Sequence, residues 1–164
     1  MKKILKVIDG LVIFYLIAHL FEVWGLDAEV ALNPRGFTGW IWPFGDFLNW
    51  WITNIDPLVG ARPWWWIGFI WWDIFFNFTF CIWALYKFYK GQKEQLYKSI
   101  WIKIYLIAII PMVIFILFQE AFGPVPALNY GVQLAMNGFF LIFPLLIVYR
   151  IWKSDEVESN SREH

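Results

Sequence analysis

Four stretches of this chain are apolar for about twenty residues or more: 4–24, 64–89, 99–122 and 128–152. Their length decides the fold. A hydrocarbon core of about 30 Å is crossed by about 20 helical residues rising 1.5 Å each. A helix that is apolar all round must be surrounded by protein or by lipid, and 164 residues are too few to surround four of them. The expectation is an all-α integral membrane protein, multi-pass, built as a four-transmembrane-helix bundle. Composition agrees: 60% of residues are hydrophobic, 23% aromatic and only 16% charged, where a soluble domain carries roughly a quarter charged residues.

The first stretch lies in MKKILKVIDGLVIFYLIAHLFEVWG. A basic start before an apolar run also describes a signal peptide. This run is too long for one and no small-x-small cleavage site follows it, so it reads as a retained first transmembrane helix. Pro63 is well placed to start the second helix. Pro111 and Pro144 fall inside the third and fourth, where spanning helices tolerate proline, and Pro111 is expected to kink its helix.

A short basic loop, 87–98, joins the second and third helices, and the tight turn GPVPALN joins the third and fourth. The connection between the first two, 25–63, is far longer. A structureless loop of that length is uncommon, so it is expected to fold as a capping loop. Within it, 45–55 interleaves Phe47, Leu48, Trp50, Trp51 and Ile55 with Asp46, Asn49, Thr53 and Asn54, the pattern of a short amphipathic helix at the interface. The chain thus reads as one domain, 1–153, and a polar, disordered tail, 154–164. Eleven lysines and arginines fall on the side that carries both termini and the 87–98 loop; only Arg35 and Arg62 fall on the other. By the positive-inside rule both termini are expected in the cytoplasm.

Several function classes drop out. The formal net charge is zero, which argues against a nucleic-acid partner. Cys81 is the only cysteine, so there is no intrachain disulfide. Two histidines, one of them in the tail, make no metal-ligand set. No phosphate loop or serine-hydrolase elbow is present, and no cofactor is expected.

Polar residues at membrane depth are costly, so each one that persists is a candidate site. His19 and Glu22, three apart, share a helix face, as do Asp73 and Asn77, four apart. Asp73 lies about nine residues past Trp64, roughly 14 Å along the helix and near mid-membrane. Gln119 and Glu120 end the third helix, Gln133 and Asn137 open the fourth, and Asp27 and Asp56 fall in the long connection. Apart from Asp73, these residues lie in the half away from the basic side; the other half shows almost none. The pattern is that of a one-sided acidic pocket walled by aromatic rings. Bland readings stand beside it. The tryptophans suit an interface belt, His19 with Glu22 suits a helix-to-helix hydrogen bond, Asp56-Pro57 suits a turn, and Glu120 suits a solvated helix end.

Several blocks carry a family resemblance: FYLIAHLFEVWGLD, DPLVGARPWWWIGFIWWDIFF with its spacing from Asp56 to Asp73, the aromatic run ending at Glu120, and MNGFFLIFPLLIVY. In these the chain resembles the EXPERA family, the four-helix membrane group that includes the sigma-2 receptor and the emopamil-binding protein, the sterol Δ8-Δ7 isomerase. The resemblance implies a ligand pocket whose acids are Asp27, Asp56 and Asp73, completed by Asn77, Glu120, Asn137 and Phe140. It implies a hydrophobic small-molecule partner (sterol-like, isoprenoid or amine) in contact with membrane lipid. If the isomerase chemistry is shared, His19, Glu22 and Asp73 are the implied catalytic acid–base set, and the ring of Phe140 stands where a cation would be stabilised. A non-catalytic membrane partner protein, including a homodimer, is the remaining expectation.

Overall fold

In a computed structural model the chain is described over residues 2–32 and 44–162. Among these residues there is no strand. Helix α1 covers Lys2–Glu22 and continues through a π-helical turn, Val23–Asp27, into Ala28–Leu32. The cap contributes α2, Phe44–Asn54, and the single turn α3, Leu58–Ala61. Helix α4 runs from Trp64–Trp72 through a second π turn, Asp73–Asn77, into Phe78–Tyr89. A short α5, Lys93–Lys98, leads to α6, Ile100–Phe122, and α7, Tyr130–Arg162, closes the bundle. Four of these helices, α1, α4, α6 and α7, are long and apolar enough to cross a membrane.

The helix ends have local causes. Pro63 precedes α4 in an extended conformation. Ser99 caps α6, its hydroxyl accepting the N–H groups of Trp101 and Ile102, and Asn129 caps α7 through the N–H of Val132; both satisfy otherwise orphaned donors. At the far end of α6, a Cβ added to Gly123 would lie 2.3 Å from the carbonyl oxygen of Gln119, so only glycine fits that turn. Both α6 and α7 stay helical through Pro111 and Pro144.

Each long helix has one face inside and one outside, and both are apolar. On α1, Ile8, Val12, Tyr15, Leu16, His19 and Val23 are buried, while Ile4, Val7, Leu11, Phe14, Phe21 and Trp24 are exposed. Burial alone therefore cannot be what selects these side chains; lipid is the second apolar phase. The main core joins all four long helices with Leu96 and Tyr97 of α5. A smaller one, Val30, Leu48, Val59 and Ile70, lies under the cap.

Two expectations change. Helix α1 does not stop at Trp24 but runs on to Leu32, because the π turn carries it past Gly25 with its backbone still bonded. Asp27 is thus a helix residue, not a loop residue. Helix α7 runs ten residues beyond Trp152 to Arg162, into the segment whose composition suggested disorder; no glycine or proline interrupts it there. The cap is folded over 44–61, with Leu48 and Ile55 buried and Trp50 exposed, but its 33–43 portion, including Arg35, lies outside the described residues.

Candidate functional site

A cavity of about 140 Å³ lies at the cap end of the bundle, between α1, α4, α6, α7 and the cap. Five carboxyl residues line it: Glu22, Asp27, Asp56, Asp73 and Glu120; among the described residues no lysine or arginine does. The rest of the wall is mostly apolar, with Trp51, Trp66, Phe69 and Phe140 contributing rings. The carboxyls fall into two groups.

The first group is built on α1 and α4. His19 is 1% exposed. Its Nε2 lies 3.6 Å from Glu22 Oε2 and 3.6 Å from Asp73 Oδ1, beyond hydrogen-bond length but within reach of a charge pair. On its other side Nδ1 is 3.1 Å from the Tyr105 hydroxyl, which is 2.6 Å from that of Tyr15. The Phe140 ring meets the imidazole edge-on at 5.4 Å. Asn77 donates to Asp73 from the same helix. Two buried oxygens, Asp27 Oδ2 and Asn77 Oδ1, have no hydrogen-bond partner among the described residues.

Both π turns belong to this group. One ends at Asp27, the other spans Asp73–Asn77, and the two pack against each other. The N–H of Ala28 bonds to the carbonyl of Val23, and that of Phe78 to Asp73, each five residues back. A π turn re-aims the side chains that follow it, and such bulges concentrate at functional positions. Here they bring acids from two helices to one wall.

The second group is built on α6, α7 and the cap. Gln133 Nε2 donates to Asp56 Oδ2 and to Glu120 Oε1, both at 2.6 Å. Asn137 Nδ2 donates to both oxygens of Glu120 at 3.0 Å. Asp56 Oδ1 accepts the N–H of Leu58 at 2.9 Å, which is the turn chemistry expected of Asp-Pro. Burial pushes the Asp56 carboxyl above its usual range, although the Leu58 N–H and the Gln133 amide pull it down. Both amide nitrogens are thus committed to carboxyl oxygens. With the carboxyls ionised, every uncommitted polar side-chain atom in this group is an acceptor, so the group suits a ligand that donates, such as a hydroxyl or an ammonium.

The candidate residues therefore converge. Glu22, Asp27, Asp56, Asp73, Glu120, Asn137 and Phe140 line one cavity, while His19 and Asn77 stand directly behind Asp73. Glu120 is 1% exposed and not a solvated helix end. Around Asp73 on α4, Trp71 and Trp72 are exposed, and Phe75 and Phe76 border a separate apolar groove with Thr79, Phe80, Trp83 and Trp101.

Sequence reasoning missed Tyr15 and Tyr105, whose hydroxyls are lost among many aromatic residues, and underrated Gln133. It also missed Asp9 and Arg150, so the expectation of an almost apolar half near the termini is corrected. Arg150 Nε bonds to Asp9 Oδ1 at 2.9 Å, its Nη2 reaches Glu94 at 2.7 Å, and Lys93 and Tyr97 also bond to Asp9. Two charges some 140 positions apart in the chain give no local signal. Among the described residues no metal-binding group of three ligands occurs.

Compared with known families, residues 43–151 match the one described as EBP, EXPERA (EXPanded EBP superfamily). No curated protein and no solved structure matches. The matched stretch contains Asp56, Asp73, Asn77, Glu120, Asn137 and Phe140 and begins after His19, Glu22 and Asp27.

Proposed function

The chain belongs to the EXPERA family, and from that premise we propose that it binds a sterol-like or isoprenoid molecule, or a cationic amphiphile, in the acid-lined cavity at the cap end of the bundle. One observation carries this reading: five carboxyl residues line a single cavity to which, among the described residues, no lysine or arginine contributes. Charges at membrane depth are costly unless they are paired or used. A ligand with an apolar body and a donating or cationic head supplies what this wall lacks, and the rings of Trp51, Trp66 and Phe140 add attraction for a cation. In this reading Asp27 and Asp56 orient the polar head and Asp73 lies deeper.

The test is binding of a fluorescent cationic amphiphile to the protein in lipid nanodiscs. Asp56→Asn and Asp73→Asn, on opposite groups, are each expected to abolish binding. Unchanged affinity in both sinks the proposal.

A second reading, a double-bond isomerase acting on a sterol or isoprenoid, is favoured by the surroundings of His19. An imidazole between two carboxyls, backed by a tyrosine hydroxyl, is an acid–base set able to give a proton to one carbon of an olefin and take one from another. Such a step passes through a carbocation that a ring and carboxylates stabilise. Incubation of candidate polycyclic olefins in heavy water tests it: deuterium in the product supports it, and none with any substrate argues against it.

A further inference from the structure

We infer that Gln133 is a positioning residue, the latch that seats the cap on the bundle and sets the second acid group in the same act. The inference builds on the ligand reading above, but its geometry stands by itself. Gln133 is the fourth residue of α7 and is 5% exposed. Its amide lies 2.6 Å from two carboxyl oxygens, one from the cap and one from α6. That contact fixes which way the amide points. Reversed, its oxygen would face two carboxyl oxygens at the same distance, so with both carboxyls ionised the nitrogen occupies the bridge, each of its two hydrogens going to a different acid.

The backbone repeats the connection. The N–H groups of Leu128 and Asn129, in the turn that leads into α7, both donate to the carbonyl of Ile55, at 2.8 and 3.2 Å. Ile55 immediately precedes Asp56. The end of α2 is therefore tied to the start of α7 by two backbone bonds and one side-chain bridge. Asp56, Glu120 and Gln133 come from three separate elements, so the acceptor group exists as described only while the cap is seated. Asp56 cannot change its distance from Glu120 without breaking the bridge or lifting residue 55 from the turn.

Hydrogen exchange of the ligand-free protein in nanodiscs reads this directly, because the N–H groups of Leu128 and Asn129 bond across the seam to Ile55 and their protection reports cap opening. Gln133→Met keeps the volume and removes both donors. It is expected to speed exchange at Leu128 and Asn129 at least tenfold, as loss of two bonds to charged groups would. Asp56→Asn is expected to do the same, since an asparagine can keep its oxygen on only one of the two donors, Leu58 N–H or Gln133. The double variant should open no further than either single one, because both act through one contact. Asp46→Asn, which removes an exposed charge from the cap helix α2, should leave exchange unchanged. Wild-type protection of Leu128 and Asn129 in Gln133→Met overturns the inference. Should that variant not fold, wild-type protection in Asp56→Asn overturns it equally. The readout involves no ligand. A cap that opens in these variants while no amphiphile binds the wild type would uphold the latch and defeat the ligand reading; a protected cap in a protein that binds amphiphile would do the reverse.

Discussion

At the scale of single residues, burial changes what each acid can do. Asp56 illustrates it with a direction. Its carboxyl is held above the ordinary carboxylate range by burial, so it takes up its charge at higher pH than an exposed aspartate. In the folded state it keeps its proton over a window in which the unfolded chain has lost it. Its contribution to stability is therefore present at low pH and declines as pH rises through that window. Binding runs the other way. A quaternary ammonium amphiphile, whose own charge does not titrate, should bind more tightly as pH rises through the Asp56 transition, and the midpoint of that curve should lie above the usual aspartate value. A flat profile from pH 4 to 8 would remove Asp56 from the site. Asp9 and Arg150 make the opposite case, a buried pair with its hydrogen bonds satisfied. Removing one partner of such a pair costs about 3–5 kcal/mol, so Arg150→Met should lower the unfolding midpoint sharply, and Asp9→Asn combined with it should cost less than the sum of the two.

At the scale of elements, the four spanning helices were legible because twenty apolar residues have few alternatives, and their starts at Pro63 and Ser99 were legible because caps and prolines are local signals. The π turns were not. Nothing in VWGLD or DIFFN distinguishes a turn of five from a turn of four, since both keep the backbone bonded and differ only in how neighbouring helices demand the side chains. That is why Asp27 read as loop and emerged in a helix. The turn at Gly123 allows a sharp test. A Cβ there would meet the Gln119 carbonyl at 2.3 Å, and backbone cannot step aside as a side chain can. Gly123→Ala should destabilise the protein by about 1–3 kcal/mol and loosen the end of α6, where Glu120 sits. Wild-type stability in that variant would show the turn to be more yielding than described.

At the scale of the whole molecule, the candidate site was legible as a set of residues but not as a geometry. Composition and helix spacing singled out His19, Glu22, Asp73, Asn77, Glu120 and Asn137, because charge in a greasy helix is conspicuous. They could not show that these residues divide into two groups around one cavity, nor that Gln133 joins the second, because an amide bridging a cap to a bundle depends on contacts 77 and 13 positions apart. The distribution of lysine and arginine adds a prediction about the assembly in its membrane. A reporter grafted into the 25–63 connection should be silent from the cytoplasm and accessible from the opposite side, placing the cavity mouth away from both termini; a cytoplasmic signal would invert the topology. The central claim, that an acid-lined cavity holds a hydrophobic ligand, is tested most directly by identifying the small molecule that copurifies with the protein from its native membrane. The account predicts a sterol-like or isoprenoid molecule that is present with the wild type and lost from Asp56→Asn and Asp73→Asn. Bulk phospholipid alone, in equal amount with all three proteins, would contradict it.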